Sequence, residues 1–131
     1  MGLDAIGIVS RDLEKTKEFY ATLGIELNAA GGDEHFEATT PSGLRIMVDT
    51  LDLMQKINPD FKPGDGAGII LAFKQDTPGA VDSLFQDLRK MGAQPVKEPW
   101  NAFWGQRYAS IKDPDGNQID LFALLSSAAT I

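Results

Sequence analysis

Cysteine is absent, so neither disulfides nor thiol chemistry are open to this chain. Histidine occurs once, at His35, which excludes a metal site built on two histidines of the chain. No apolar run approaches the roughly 18 residues that span a bilayer. The opening segment MGLDAIGIVSRDLEK carries no basic region ahead of its apolar stretch, so a secretory signal is not expected there. Basic charge is scarce as well. Twelve Lys and Arg against nineteen Asp and Glu give a formal net charge of −7. Such a surface repels phosphate backbones and anionic membranes, so no nucleic-acid or membrane partner is expected. It favours solubility and, mildly, a cationic ligand. These absences together predict a cytoplasmic protein.

What is present is ordinary globular composition. The 131 residues are 43% hydrophobic and 24% charged, which suits one domain with a single core or two small repeats. Leu3–Val9 is a short apolar run rich in β-branched residues and reads as a strand. A helix follows over 12–23, with Asp12 at its start, Gly24 at its end, and Leu13, Tyr20 and Leu23 on one face. Strands are predicted at Ile25–Asn28, His35–Thr39 and Leu44–Asp49, the last two joined by Pro41-Ser42-Gly43. Residues 51–66 read as a connector with a short helical piece at Leu51–Ile57. Gly64-Asp65-Gly66-Ala67-Gly68 has no helix after it, so it lacks the means to cradle a phosphate.

The pattern then restarts. A strand at Gly68–Phe73 precedes Thr77-Pro78, an N-cap with proline at the first helical position. Val81, Leu84, Phe85, Leu88 and Met91 form the apolar stripe of that helix, which Gly92 closes. Strands follow at Gln94–Lys97, Arg107–Lys112 and Asn117–Phe122, the last two joined by Pro114-Asp115-Gly116. The tail SSAATI is expected to fray.

The halves are one βαβββ unit written twice, at about 1–50 and 67–125. Leu23-Gly24 matches Met91-Gly92, and Thr40-Pro41-Ser42-Gly43 matches Asp113-Pro114-Asp115-Gly116. The predicted fold class is α+β, with the two repeats forming a curved mixed sheet around a cavity. Strand side chains alternate between faces. Ile6, Ile8, Leu44, Ile46, Val48, Ile69, Leu71, Phe73, Ile119 and Leu121 are assigned to the helix-covered face, with Phe36, Ala38, Ala109 and Ile111. The open face then takes Ala5, Gly7 and Val9; His35, Glu37 and Thr39; Arg45, Met47 and Asp49. From the second half it takes Ile70, Gln106, Tyr108, Ser110, Gln118, Asp120 and Phe122. That mixed lining suits a ligand cavity; a solvated or dimer-buried face is the alternative, which Met47, Ile70 and Phe122 fit less well.

The segments AIGIVSRDLEKTKEFYATLGI and FWGQRYASIKDPDGNQIDLF, within the doubled βαβββ pattern, resemble the glyoxalase/bleomycin-resistance/dioxygenase superfamily. The resemblance covers nearly the whole chain and implies a cavity-forming, dimeric arrangement. Metal enzymes of that family place ligands at four strand positions, which match Ala5, Met47, Ile70 and Asp120 here. Only Asp120 is a competent ligand. Ala5 and Ile70 have no donor atom, and the Met47 thioether is too soft for the usual divalent ions. A symmetric dimer repeats the same gaps. No metal and no other cofactor is therefore expected.

Trp100, Phe103 and Trp104 cluster in PWNAFWGQ ahead of Gln106 and Tyr108, and such faces suit planar or cationic ligands. Packing in a core or a dimer interface is the alternative for each. The family's metal-free antibiotic-binding members imply the same use of aromatic side chains with an acidic lining. The predicted ligand-binding set is Trp104, Trp100, Phe103, Gln106, Tyr108, Arg45, Met47, Glu37, Ile70, Asp120 and Phe122. The expected role is metal-independent binding of a small organic molecule, cationic or aromatic, sequestering an antibiotic or toxic metabolite. A metal-independent lyase or isomerase using Asp120 as acid/base, with Tyr108 or His35, is the alternative. A structural Arg45–Asp120 pair competes with any role for that carboxylate. His35, after Gly31-Gly32-Asp33-Glu34, is expected at a solvent-exposed hairpin end.

Overall fold

The structure is a computed structural model that describes residues 1–64, 66 and 68–125. The predicted fraying of SSAATI concerns residues 126–131, outside the described residues. The chain divides into two compact units, Met1–Gly64 and Asp65–Ile131.

The first unit runs β1 (Ala5–Ser10), α1 (Leu13–Thr22), β2 (Asn28–Ala29), β3 (His35–Thr39), β4 (Arg45–Thr50) and α2 (Leu51–Ile57). Its sheet has the order β1-β4-β3-β2, with β1 parallel to β4 and the other pairs antiparallel. The Asp12 carboxylate accepts from the Lys15 backbone N–H and so caps α1. Gly24, with φ 86°, takes the left-handed conformation that ends it. Phe19, Tyr20, Ile8, Ile46, Val48 and Phe36 are buried in this unit's core. The hydroxyls of Ser10 and Thr16, also buried, bond each other at 2.7 Å, which satisfies both away from water.

The second unit repeats the plan. It runs β5 (Ile70–Lys74), α3 (Pro78–Lys90), β6 (Pro95–Ala102), β7 (Gln106–Lys112) and β8 (Gln118–Leu124), with sheet order β5-β8-β7-β6. Thr77 caps α3 by accepting from the Ala80 N–H, with Pro78 at the first helical position. Val81, Phe85 and Leu88 of α3 are fully buried, as are Ala109, Ile111, Ile119 and Leu121 of the two strands it packs on. The fold class is thus α+β with two βαβββ units, each a four-stranded mixed sheet covered on one face by helix.

The repeat extends to turn chemistry. Gly43 and Gly116 donate to the carbonyls of Thr40 and Asp113 at 2.9 and 3.0 Å, each with φ near +90°. The Asp113 carboxylate also accepts from Asp115 N–H, Asn117 N–H and the Asn117 side chain, which explains its burial.

Four local expectations need correction. Ile25 and Leu27 are buried but lie ahead of the strand, which is confined to Asn28–Ala29. Ile69 precedes β5 and is exposed, so strand parity does not apply to it. Met91 is the C-cap of α3 rather than a stripe residue and is likewise exposed. Finally, β6 continues to Ala102 through irregular pairing, which carries Trp100 into the strand.

Candidate functional site

Two side-chain constellations occupy the open faces, one in each unit. In the first unit, β-ladder register sets His35 opposite Asp49, Glu37 opposite Met47 and Met47 opposite Gly7. His35 Nδ1 lies 2.5 Å from Asp49 Oδ1 and Nε2 lies 2.6 Å from Glu37 Oε2. Arg45 donates from Nη1 to Glu37 Oε1 at 2.6 Å and from Nη2 to Asp4 Oδ2 at 2.7 Å. The result is a charged chain, Asp49–His35–Glu37–Arg45–Asp4. Hydrogen bonds to the Glu37 carboxylate, then to that of Asp49, hold the His35 pKa above its usual value. His35 and Arg45 hold Glu37 below the usual carboxylate range. His35 is half-buried here, so the expectation of a solvent-exposed hairpin end gives way to a doubly bonded imidazole.

In the second unit the centre is Asp120 on β8, buried at 6% exposure. Tyr108 Oη donates to its Oδ2 at 2.6 Å. Ser110 Oγ and Gln118 Nε2 donate to Oδ1 at 2.7 and 2.9 Å. Register explains the convergence: Ser110 is opposite Asp120, and Tyr108 is one pleat along, opposite Phe122. Burial, then the bond to Asp120, pushes the Tyr108 phenol up to about 12. The phenol therefore stays a donor throughout the neutral range.

An aromatic series extends from that phenol along the sheet. Tyr108 stacks on Phe122 at 6.1 Å between ring centroids and meets Trp104 edge-to-face at 5.4 Å. Trp104 in turn meets Trp100 at 5.5 Å and Phe103 at 5.0 Å, both near perpendicular. Gln106 accepts the Trp104 Nε1–H at 2.8 Å, which fixes the indole plane. Phe103 and Trp104 sit in the turn between β6 and β7, 91% and 49% exposed. Neither is core. Lys97 Nζ lies 4.9 Å over the Trp100 ring, so that ring already faces a cation.

A family model described as Glyoxalase/Bleomycin resistance protein/Dioxygenase superfamily matches residues 2–121. The chain belongs to that superfamily. No curated protein matches the sequence. Among solved structures, the chain is similar to a glyoxalase-related enzyme from Fulvimarina pelagi, at 18% identity and TM-score 0.79 over 93% of this chain and 87% of that one. A glyoxalase/bleomycin resistance protein/dioxygenase family enzyme from Burkholderia phytofirmans PsJN is 23% identical, TM-score 0.75, over 95% and 100%. A glyoxalase/bleomycin resistance protein/dioxygenase from Nocardioides is 23% identical, TM-score 0.71, over 97% and 85%. These likenesses support the fold.

The family's metal can be tested against the residues present. The internal repeat equates Ala5 with Ile70 and Met47 with Asp120, because Ala5 pairs with Arg45 as Ile70 pairs with Gln118. Three of these four positions carry alkyl or thioether side chains. The fourth, Asp120, accepts from three protein donors. Among the described residues, no group of three or more His, Asp or Glu is arranged to hold a metal ion. The residues at these positions do not fit the hard divalent ion that such enzymes use.

Of the predicted ligand-binding residues, the second sheet brings together Asp120, Tyr108, Phe122, Trp104, Trp100 and Gln106, with Phe103 on the rim. Ile70 lies on the same face beside Gln118. Glu37, Arg45 and Met47 belong to the first sheet. Each carboxylate is satisfied within its own unit: Arg45 bonds Asp4 and Glu37, and Asp120 bonds Tyr108, Ser110 and Gln118, in place of the Arg45–Asp120 pair. Sequence reasoning missed Asp49 as the His35 partner and Ser110 as a ligand of Asp120. Strand parity had already put both on the open faces, but only the ladder register shows which residues stand opposite.

Proposed function

We propose that the open face of the second sheet binds a small planar organic molecule without a metal, and that the protein sequesters an antibiotic or a toxic metabolite. The observation that carries this reading is the half-exposed Trp104, locked by Gln106 and flanked by Trp100, Phe103 and Tyr108. A fixed indole offers a stacking surface at little cost in side-chain entropy. The ligand class is cationic or aromatic. Lys97 over Trp100 is an intramolecular example of the contact such a cation makes, and the net charge of −7 favours its approach. The reading includes a homodimer in the cytoplasm, with neither nucleic acid nor membrane as partner. Asp120 contributes as a fixed acceptor that orients Tyr108.

The test is calorimetric titration with a panel of cationic aromatic drugs. A binder is expected, and Trp104→Ala is expected to weaken it by about 1–2 kcal/mol, roughly 5- to 30-fold in Kd. Absence of binding across the panel overturns the reading.

A further inference from the structure

His35 is the only histidine of the chain, and both of its ring nitrogens face carboxylates. A neutral imidazole has one N–H and one lone pair, so only the imidazolium donates to both neighbours. The neutral ring must set a lone pair against a carboxylate oxygen at about 2.5 Å. The two neighbours are unequal. Glu37 has a second donor in Arg45 Nη1. Among the described residues, the only side-chain hydrogen bond of Asp49 is the one to His35.

We propose that His35 is a proton-operated latch on the open face of the first sheet. Protonated, it ties Asp49 of β4 to Glu37 of β3. On losing its proton, it keeps Nδ1–H on Asp49 and releases Glu37 to Arg45. Nε2 is then left as a free base on that face.

The charges around it support this. From β3 comes Glu37, from β4 come Asp49 and Arg45, and Asp4, ahead of β1, reaches the group through Arg45. β1 presents Gly7 and Val9 on this face, and β2 presents Asn28 opposite Glu37. From α2, Lys56 bonds Glu34 at 2.7 Å, which neutralises that carboxylate beside His35. Three carboxylates thus face one guanidinium, and the proton on His35 redresses the excess of negative charge. The same neighbours hold the histidine above its usual value, which favours the closed latch. This latch lies in the first unit and does not depend on the ligand-binding reading.

Because the chain has one histidine, NMR titration of its ring reports the latch without ambiguity. The expected wild-type pKa is above the usual value of about 6.5. Both Glu37→Gln and Asp49→Asn are expected to lower it. The neutral ring is expected to carry its proton on Nδ1, as read from the two ring-nitrogen shifts. A wild-type pKa at or below 6.5, or a shift in neither or only one variant, overturns the two-sided latch. A neutral ring protonated on Nε2 overturns the release of Glu37. The wild-type titration and tautomer decide the matter even if a variant fails to fold.

Discussion

Replacing Asp120 with asparagine separates two effects of opposite sign. Burying a carboxylate costs free energy, so removing the charge alone stabilises. Three donors converge on it at 2.6–2.9 Å, so weakening those bonds destabilises. A hydrogen bond to a charged group contributes about 1.5–3 kcal/mol, against about 1 kcal/mol for a neutral one. In Asp120→Asn the amide oxygen can still accept from Ser110 and Gln118 as neutral bonds. The amide nitrogen then faces the Tyr108 hydroxyl, donor against donor. The hydroxyl can turn to accept, but its own proton loses its partner. The expected net loss is about 2–4 kcal/mol. Tyr108→Phe removes a single donor to the charged carboxylate and is expected to lose about 1.5–3 kcal/mol. Urea unfolding followed by tryptophan emission is the assay, because Trp100 and Trp104 both lie in the second unit. The midpoint should fall at unchanged slope. Asp120→Asn within 0.5 kcal/mol of wild type, or more stable (roughly the noise of a surface change), refutes the argument that the three donors outweigh burial of the charge.

Two further outcomes follow from the same unit. The Tyr108 phenol ionises near 12 rather than 10 in the folded protein, so the unfolded chain loses this proton first. Stability should therefore fall as pH rises from 10 to 12, and by less in Tyr108→Phe; ultraviolet difference titration against that variant reads the pKa itself. Phe85 is fully buried under α3, and Phe85→Ala should cost about 3–5 kcal/mol in the same urea assay, with a loss under 1 kcal/mol contradicting its place in the core.

The fold was legible because each half carries its own punctuation. Gly24 and Gly92 both take positive φ at helix ends, and Gly43 and Gly116 both take it in the turn before the last strand of a unit. Period-two alternation placed Ile46, Val48, Ile119 and Leu121 in the core, where all four are buried. Legibility failed where pairing is irregular. The bulged register between Pro95 and Trp100 lengthens β6 beyond what Pro95, Pro99 and polar neighbours suggest. Site residues were legible as faces rather than as contacts. Parity put His35 and Asp49 on one face, but only cross-strand register makes them hydrogen-bonded partners. Alkyl side chains at Ala5 and Ile70 spoke most plainly, because a missing donor atom needs no geometry to be read.

Binding on the Trp104 face is proposed to need no metal. Tryptophan emission should be titrated with a cationic aromatic probe on protein stripped by chelator, then with divalent metal restored. A saturable isotherm is expected in stripped protein, unchanged when metal is added back and weakened in Trp104→Ala. Binding that appears only with metal, or that is equal in Trp104→Ala, would contradict it.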